Sequence, residues 1–323
     1  MNKQKGGGYA EDALNQVVLL HVNGLGDQIL AWPTIRAFGH LFPSTVTLVL
    51  GPGMRAMFHR DVCLKQRLRI MFRDDESLRF SADKLVQSIG SCESLIHLGD
   101  WMRPSVIEFA KELSCKQSVG LQSGLNEWVK ADEKLHMFRR IFELAKFYDE
   151  DLDFEEFAGP PVFSPVAMRL AAKIVAEIVG PGERLLFVHP ETKPEKCWAP
   201  ENFDSVLRRF LRRNPEYQVL VCSRVETELS SHPKITFINP HLELAMAILG
   251  LADCFLGVDS CFLHAADLYR IPGIALFGPT DPDVWGYHLT PYSQNISGEG
   301  SMEGIDRESV LSGLYDTARY TAD

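Results

Sequence analysis

Three charged residues are candidates for catalysis or substrate binding: Asp27, Lys196 and Asp259. Each lies in a turn between a short apolar run and a helical pattern. Asp27 follows a glycine-flanked turn, so its carboxylate is either a helix cap or a general base. Lys196 is placed to neutralise a diphosphate. Asp259 suits a hydroxyl-rich group such as a sugar, because a carboxylate accepts hydrogen bonds from hydroxyls.

The stretch around Asp259 also predicts an anion site. Ser260 follows the aspartate and a helix starts at once, so backbone N–H groups at that helix start are available to a phosphate. Capping of the helix by Asp259 and Ser260 alone is an equal alternative. His264, four residues into this helix, is by itself more typical of a core position than of a ligand. Glu226 or Glu228, after another apolar run, could bind ribose hydroxyls or cap a surface helix.

Several common site types are absent from the sequence. Gly24-Leu25-Gly26 would begin a dinucleotide fingerprint only with glycine at position 29, which is Ile29, and no acidic residue closes a suitable second strand. The P-loop, the zinc-protease motif HExxH and the hydrolase motif GxSxG do not occur. No metal-ligand spacing is found either.

These residues must be positioned by alternating strands and helices, which is the pattern of parallel α/β units. A proline-rich break at 157–165 separates two such halves, so we predict domains at 1–158 and 159–323, with the last helix able to pack back on the first domain. The predicted strands are 17–22, 45–50, 69–72, 95–98, 185–189, 218–222, 235–238, 254–258 and 274–277. The predicted helices follow Asp27, lie near Arg55, and span 82–89, 105–113, 134–148, 201–213, 242–251, 261–269 and 307–320. Open parallel sheets bind ligands beyond the carboxyl ends of their strands, where the turns above lie.

Composition narrows the class of partner. The 323 residues carry a formal charge of −10, which argues against a nucleic-acid partner. No apolar stretch is long enough for a transmembrane helix, and the N-terminus lacks a signal-peptide core. The seven scattered cysteines include no CxxC pair and are expected to be reduced thiols. We therefore expect a cytoplasmic protein, with peripheral attachment to the inner membrane left open.

Three segments in order resemble glycosyltransferase family 9, the ADP-heptose-type heptosyltransferases. They are LGDQILAWPTIRAF near the start, HPETKPEKCWAPENF at 189–203, and LGVDSCFLHAADLYRIPGIALFGPTDP at 256–282. The order and spacing agree over about 260 residues. The resemblance implies a GT-B fold, in which two Rossmann-like domains face each other across a cleft. The N-terminal domain would bind the acceptor and the C-terminal domain the nucleotide sugar.

The resemblance also implies metal-independent, inverting transfer with no cofactor. Asp27 is similar to the family's general base, Lys196 to its diphosphate-binding lysine, and Asp259 to the acid that contacts the donor sugar. The region of His241 resembles the stretch beside the adenine. The donor-binding set implied in this way is Gly26, Thr192, Glu226, His241, Asp259, Ser260, Cys261 and His264.

Three departures from the family pattern bear on the donor. Cys261 stands where glycine is usual, Cys197 replaces a basic or polar residue before Trp198, and Pro190-Glu191 brings a carboxylate near the expected diphosphate. We predict a transferase that moves a sugar to a hydroxyl of the lipopolysaccharide core or of a soluble molecule, and the resemblance implies heptose as the sugar and an ADP-linked donor. The alternatives are a GT-B enzyme with another nucleotide sugar and a non-catalytic nucleotide-sugar-binding protein.

Overall fold

The computed structural model describes residues 16–51, 58–69, 82–224 and 231–320. The chain divides into two compact units between Ala158 and Gly159. In the described residues, no helix is both long enough and apolar enough to cross a bilayer. Each unit is built around one parallel sheet.

The first unit has a six-stranded parallel sheet in the order β3-β2-β1-β4-β5-β6. The strands are β1 Val17–His21, β2 Val46–Leu50, β3 Gln66–Arg69, β4 Ser94–His97, β5 Gln117–Gly120 and β6 Glu127–Trp128. β1 is buried along its whole length, as its unbroken apolar run requires in the middle of a parallel sheet. The strand order reverses direction between β1 and β4, so a crevice is expected beyond their carboxyl ends.

Helices cover the first sheet. They are α1 Leu25–Leu30, α2 Trp32–Leu41, α3 Ala82–Ile89, α4 Pro104–Leu113, α5 Met137–Lys146 and α6 Phe154–Phe157. α3 and α4 pack together and share a core cluster with β1 and β4 through residues such as Ile89, Leu95 and Phe109. α2 packs against α5 and α6, so the chain segment before the unit boundary is part of the first unit.

The second unit repeats this plan with a parallel sheet in the order β12-β11-β10-β7-β8-β9. Its strands are β7 Arg184–His189, β8 Tyr217–Cys222, β9 Ile235–Ile238, β10 Cys254–Val258, β11 Gly273–Phe277 and β12 Gln294–Ser297. Its helices are α7 Pro165–Ile178, α8 Pro200–Arg213, α9 Leu242–Leu249, α10 Cys261–Leu268, α11 Pro282–Trp285 and α12 Arg307–Tyr320. α12 packs on α8 and on the sheet of its own unit. The order reverses between β7 and β10, which gives the second crevice.

The predicted α/β class with two Rossmann-like sheets is confirmed, and most element positions agree. The strand predicted at 69–72 overlaps β3 at Arg69, while β3 begins earlier, at Gln66, and residues 70–72 lie outside the described residues. The helix predicted near Arg55 also lies outside them. Six elements were missed: β5, β6, α6, α7, α11 and β12. β12 is only partly buried and carries polar side chains, so it lacks the apolar signature of a central strand.

The prediction of reduced cysteines is wrong for one pair. Cys92 and Cys115 form a disulfide, with their Cα atoms 5.1 Å apart. Cys92 precedes β4 and Cys115 precedes β5, and these strands are neighbours. The pairing of the strands therefore brings together two cysteines whose separation of 23 residues gave no signal in the sequence.

Candidate active site

In the first unit, Asp27 lies in the opening turn of α1. Gly24 is the N-cap residue, and its N–H donates to Oδ2 of Asp27 over 2.8 Å. The capping role predicted for Asp27 is therefore confirmed, although the capping oxygen belongs to the third helical residue. Gly26 lies in the same turn. The Asp27 side chain is only partly buried, so its carboxylate is also accessible to a substrate.

Beneath this turn lie histidines at the carboxyl ends of β1 and β4. His21 and His97 are fully buried, and the His21 ring lies against the backbone of Asp27. Burial lowers the pKa of His21 to about 4 and that of His97 to about 3. Both rings are consequently neutral at physiological pH, and Asp27 has no cationic histidine below it.

In the second unit, Lys196, Asp259 and Thr280 form a connected group. Nζ of Lys196 lies 2.5 Å from Oδ2 of Asp259, and the Thr280 hydroxyl donates to the same oxygen over 2.7 Å. Lys196 ends the 3₁₀ turn Pro194–Lys196 after β7, while Asp259 follows β10. Because β7 and β10 are adjacent parallel strands, their carboxyl-end loops meet. Two predicted site residues some 60 positions apart are thus brought into contact.

The interpretation of Asp259 and Ser260 as only a helix cap is wrong. Ser260 is the N-cap residue of α10, but its side chain makes no capping hydrogen bond, and its buried Oγ has no partner among the described residues. Asp259 binds Lys196 and Thr280 instead of the helix. The start of α10 therefore keeps a hydroxyl and first-turn N–H groups next to a lysine, a combination that suits a phosphate.

The other predicted residues of α10 are uncharged. Cys261 is the first helical residue, and burial raises the pKa of its thiol to about 12. His264 is buried, and burial lowers its pKa to about 4 although the Asp259 charge opposes the shift. Cys261 is accordingly a thiol and His264 a neutral ring near pH 7, so neither competes with Lys196 for an anion.

Cys197 and Trp198 hold the loop that presents Lys196. The Cys197 sulfur accepts a hydrogen bond from the Thr192 N–H over 3.4 Å and donates to the Lys193 carbonyl over 3.4 Å. Trp198 is buried against Phe203 at the start of α8, as expected of a packing anchor. The two hydrogen bonds of Cys197 therefore connect the end of this loop to its beginning.

Glu191, the unexpected carboxylate, is held by three donors. It accepts hydrogen bonds from the Ser223 hydroxyl, from the Arg224 N–H over 2.8 Å and from Arg224 Nε over 3.0 Å. This ion pair offsets its charge locally. Ser223 and Arg224 follow β8, the neighbour of β7, and sequence analysis did not single them out.

A cavity of about 720 Å³ lies beside this loop, within the size range of small-molecule sites. Its walls are mainly apolar and include Val221, Phe203 and Phe237, with Glu191 and Arg224 among the polar residues of its lining. The Trp198 indole nitrogen is buried without a hydrogen-bond partner among the described residues. The cavity suits a flat, largely apolar group with at least one hydrogen-bond acceptor.

Three predicted donor residues are not part of this group, and one of them, Gly26, lies in the first unit. His241 is the N-cap residue of α9, and its Nδ1 accepts a hydrogen bond from the Leu244 N–H over 3.4 Å. Glu226 lies outside the described residues. Within the described ranges, no three histidine, cysteine or acidic side chains are arranged to hold a metal.

The sequence model of glycosyltransferase family 9 (heptosyltransferase) matches residues 84–310, well over half of the chain. The chain belongs to glycosyltransferase family 9. The matched range includes Lys196, Asp259 and Thr280, while Asp27 lies before it. Membership of the family makes the chain a glycosyltransferase. Compared with the sequences of curated proteins, the chain has no significant match.

Solved structures of the family share the fold at low sequence identity. The family 9 glycosyl transferase from Veillonella parvula is 14% identical with a TM-score of 0.77, and the match covers 95% of this chain and 99% of that one. E. coli ADP-heptose LPS heptosyltransferase II is 14% identical with a TM-score of 0.67, covering 95% and 100%. E. coli heptosyltransferase WaaC with ADP is 13% identical with a TM-score of 0.67, covering 94% and 99%. At these identities the likeness shows the fold alone, which is GT-B.

Proposed function

We propose that this family 9 glycosyltransferase moves a sugar from a nucleotide diphosphate donor to an acceptor hydroxyl, with inversion and without a metal. The observation that carries the proposal is the contact of Lys196 and Thr280 with Asp259 at the start of α10. This contact brings together a cation that can stabilise the leaving diphosphate and a carboxylate that can accept hydrogen bonds from sugar hydroxyls. ADP-heptose is the donor we favour, because two solved relatives with this fold are named for ADP-heptose or contain ADP.

The proposed transfer is a single displacement. The acceptor oxygen forms a bond to the anomeric carbon while the bond from that carbon to the diphosphate oxygen breaks, and the electron pair leaves with the diphosphate. Asp27 takes the proton of the acceptor hydroxyl as the new bond forms. Lys196 and the N–H groups at the start of α10 stabilise the negative charge on the departing diphosphate.

Asp259 has a second task in this proposal. Its carboxylate accepts hydrogen bonds from donor sugar hydroxyls, while Thr280 and Lys196 hold its orientation. An ammonium group has three N–H donors, so Lys196 can bind Asp259 and phosphate oxygens together. The apolar cavity beside the loop suits the nucleobase. Gly26, Thr192, Glu226, His241, Ser260, Cys261 and His264 remain predicted donor contacts.

Glu191 does not oppose this proposal. Its charge is offset by Arg224, so the loop does not present an uncompensated carboxylate to the diphosphate. This weakens the alternative of a non-catalytic binding protein, which rested partly on that residue. A cytoplasmic location, with the lipopolysaccharide core or a soluble molecule as acceptor, remains part of the proposal.

Lys196→Ala tests the donor site, with Lys193→Ala as a matched control from the same loop. Lys193 is exposed, whereas Lys196 is mostly buried against Asp259. Hydrogen bonds to charged groups contribute about 1.5–3 kcal/mol, so K196A should weaken ADP binding by roughly 10- to 100-fold. K193A should change it by less than about threefold. Isothermal titration calorimetry with ADP provides the measurement, and equal losses in both variants would contradict the assignment of Lys196.

A donor panel tests the reaction itself. ADP-heptose, GDP-mannose and UDP-N-acetylglucosamine are compared by thermal shift and by nucleotide release in excess EDTA. The proposal expects stabilisation and ADP release with ADP-heptose, undiminished by EDTA, and a product with inverted anomeric configuration by NMR. Turnover with another donor would support the alternative GT-B enzyme. Donor binding without turnover under any condition would support a non-catalytic protein.

A further inference from the structure

Two cysteines lie at matching positions before neighbouring strands of the first sheet. Ser94, the first residue of β4, is the register partner of Gln117, the first residue of β5. Cys92 and Cys115 each precede the first residue of their strand by two positions. Adjacent strands lie about 5 Å apart, and the Cα atoms of the two cysteines are 5.1 Å apart. The register of the sheet therefore places the pair within the distance that a disulfide requires.

Each cysteine follows a helix that ends in a left-handed residue. Gly90, after α3, has a φ of 72°, and Ser114, after α4, has a φ of 52°. This conformation turns the chain sharply at the end of a helix. Cys92 belongs to the buried apolar cluster that α3 and α4 share, and the partly buried Cys115 packs against the same cluster. The pair therefore connects two helix–strand junctions that rest on one apolar core.

The bond between these cysteines closes a ring around one strand–helix segment. The two positions are 23 residues apart, and the chain between them includes β4, the loop 98–103 and α4. β4 pairs with β1, the strand that leads into the Asp27 turn. A cross-link stabilises a protein mainly by restricting the unfolded chain. The oxidation state of the pair therefore changes the stability of the segment next to β1.

Other contacts at this edge of the sheet do not depend on sulfur. The Gln117 N–H donates to the Glu93 carbonyl over 3.0 Å, and Lys116 forms an ion pair with Glu93 at 2.8 Å. Both side chains of the ion pair are exposed, so its contribution to stability is small. These contacts align the two junctions without an S–S bond, whereas the covalent ring requires one.

The pair is accessible to small thiols from one side. Cys115 is partly exposed and lies between the exposed residues Ser114 and Lys116, whereas Cys92 is only 7% exposed. The other five cysteines are free thiols, and Cys63 among them is exposed in the same unit. Disulfides of cytosolic proteins are usually transient and serve catalysis or redox sensing. The cytoplasmic location is the one part of the proposed function that this reasoning uses.

We propose that Cys92 and Cys115 form a reversible thiol–disulfide clamp that couples the stability of the first unit to the redox state of surrounding thiols. The oxidant is a small disulfide such as glutathione disulfide. The Cys115 thiolate attacks one of its sulfurs and releases one glutathione, and the Cys92 thiolate then attacks the Cys115 sulfur and releases the second. The two electrons and two protons of the protein thiols end on the two glutathione molecules. The reverse exchange with reduced glutathione opens the clamp.

Site-resolved alkylation tests the pairing and its reversibility. The native full-length chain is incubated with oxidised or with millimolar reduced glutathione, unfolded, alkylated with iodoacetamide and mapped by peptide mass spectrometry. Cys92 and Cys115 should be linked to each other after oxidation and alkylated after reduction. Alkylation of both after oxidation would overturn the pairing. A link that persists in native protein with reduced glutathione would overturn the switch, because the disulfide would then be permanent.

Thermal melts of the same samples measure the consequence. Reduction should lower the Tm of the first unit by about 5–10 °C, as expected for opening a ring of this size. Cys63→Ser, which removes an exposed thiol of the same unit, should respond like wild type. The double variant Cys92→Ser, Cys115→Ser should melt like reduced wild type in either buffer. An equal Tm for oxidised and reduced wild type, or a response retained by the double variant, would overturn the proposal.

Hydrogen exchange locates the effect and uses the wild-type sequence, so it decides the matter even if the double variant does not fold. On reduction, amides of α4 should exchange at least about tenfold faster, while those of α8 in the second unit should not change. Unchanged exchange in α4 would contradict the clamp. Calorimetry with ADP on oxidised protein separates the two proposals. Failure of the clamp with ADP binding intact leaves the proposed function standing, and a clamp without ADP binding means that the proposed function fails.

Discussion

Asp27 is both a helix cap and the proposed base, and two substitutions separate these roles. Asn in place of Asp27 keeps an oxygen that can accept from the Gly24 N–H, whereas Ala removes it. Loss of the cap costs about 0.5–2 kcal/mol of stability. Loss of the negative charge in the first helical turn alone costs about 0.3–1 kcal/mol. Asp27→Ala should therefore be clearly less stable than Asp27→Asn.

Activity should not follow this order. A general base contributes roughly 10²- to 10⁴-fold to the rate, and neither Asn nor Ala can take up a proton, so both variants should lose turnover to this extent. A loss of 1 kcal/mol lowers Tm by about 2–4 °C for a unit of this size. The Tm values of the two variants, measured by differential scanning fluorimetry, should therefore differ. Their rates of ADP release from ADP-heptose, with water as acceptor, should be equally low.

Asp153→Ala is the control. Asp153 caps α6 in the same unit, through a hydrogen bond from the Glu155 N–H over 3.1 Å. Its loss should lower Tm by a similar amount without changing turnover. Turnover of D27N within tenfold of wild type would refute Asp27 as the base, and its role would then be structural. Turnover losses that scaled with the loss of Tm across all three variants would refute it too.

Two further predictions concern the second unit. Thr280→Val removes the hydroxyl that donates a hydrogen bond to Asp259, so KM for the donor should rise by about tenfold while kcat changes little. Thr280→Ser keeps a hydroxyl and should restore KM. Equal effects of Val and Ser would contradict the positioning role of Thr280. His264 is buried, and its pKa is lowered to about 4. Between pH 6.5 and 4 the unfolded chain therefore binds a proton at this residue that the folded chain does not, so the free energy of unfolding decreases as the pH decreases. Between pH 7.5 and pH 5, His264 should lower the free energy of unfolding by about 2 kcal/mol, measured by urea unfolding. The His264→Gln variant should lose about 2 kcal/mol less than wild type over this pH range. An equal pH dependence in both proteins would contradict the assignment.

The parts of the fold that could be predicted are those with strong apolar runs. β1, β7 and β10 are central strands buried on both faces, and their predicted bounds agree with the observed ones to within one residue. β6 and β12 lie at the sheet edges with exposed or polar residues, so their patterns resemble loops. α7 buries only Ala167 and Ala171 fully, which leaves a weak helical periodicity.

The site residues that belong to a sequence motif could be predicted. Those that are defined only by contacts between distant parts of the chain could not. Lys196 and Asp259 were found because each follows a strand, and their contact follows from the pairing of β7 with β10. Thr280 was within a quoted motif, but its role depends on a hydrogen bond across the sheet edge. Arg224 could not be found, because its partner Glu191 is 33 residues away and belongs to another loop. Contacts between loops have no periodic signature.

Each unit contains its own six-stranded sheet, and α12 completes the core of the second unit at the end of the chain. Residues 159–320 therefore include every described residue of the predicted donor set except Gly26, together with the helices and strands that support them. The proposed base, Asp27, is encoded before residue 159. Under the proposed function, recombination at this one point would exchange the part of the chain that carries Asp27 without altering Lys196, Thr280 and Asp259. The proposed base and the proposed diphosphate site are then inherited as separate parts.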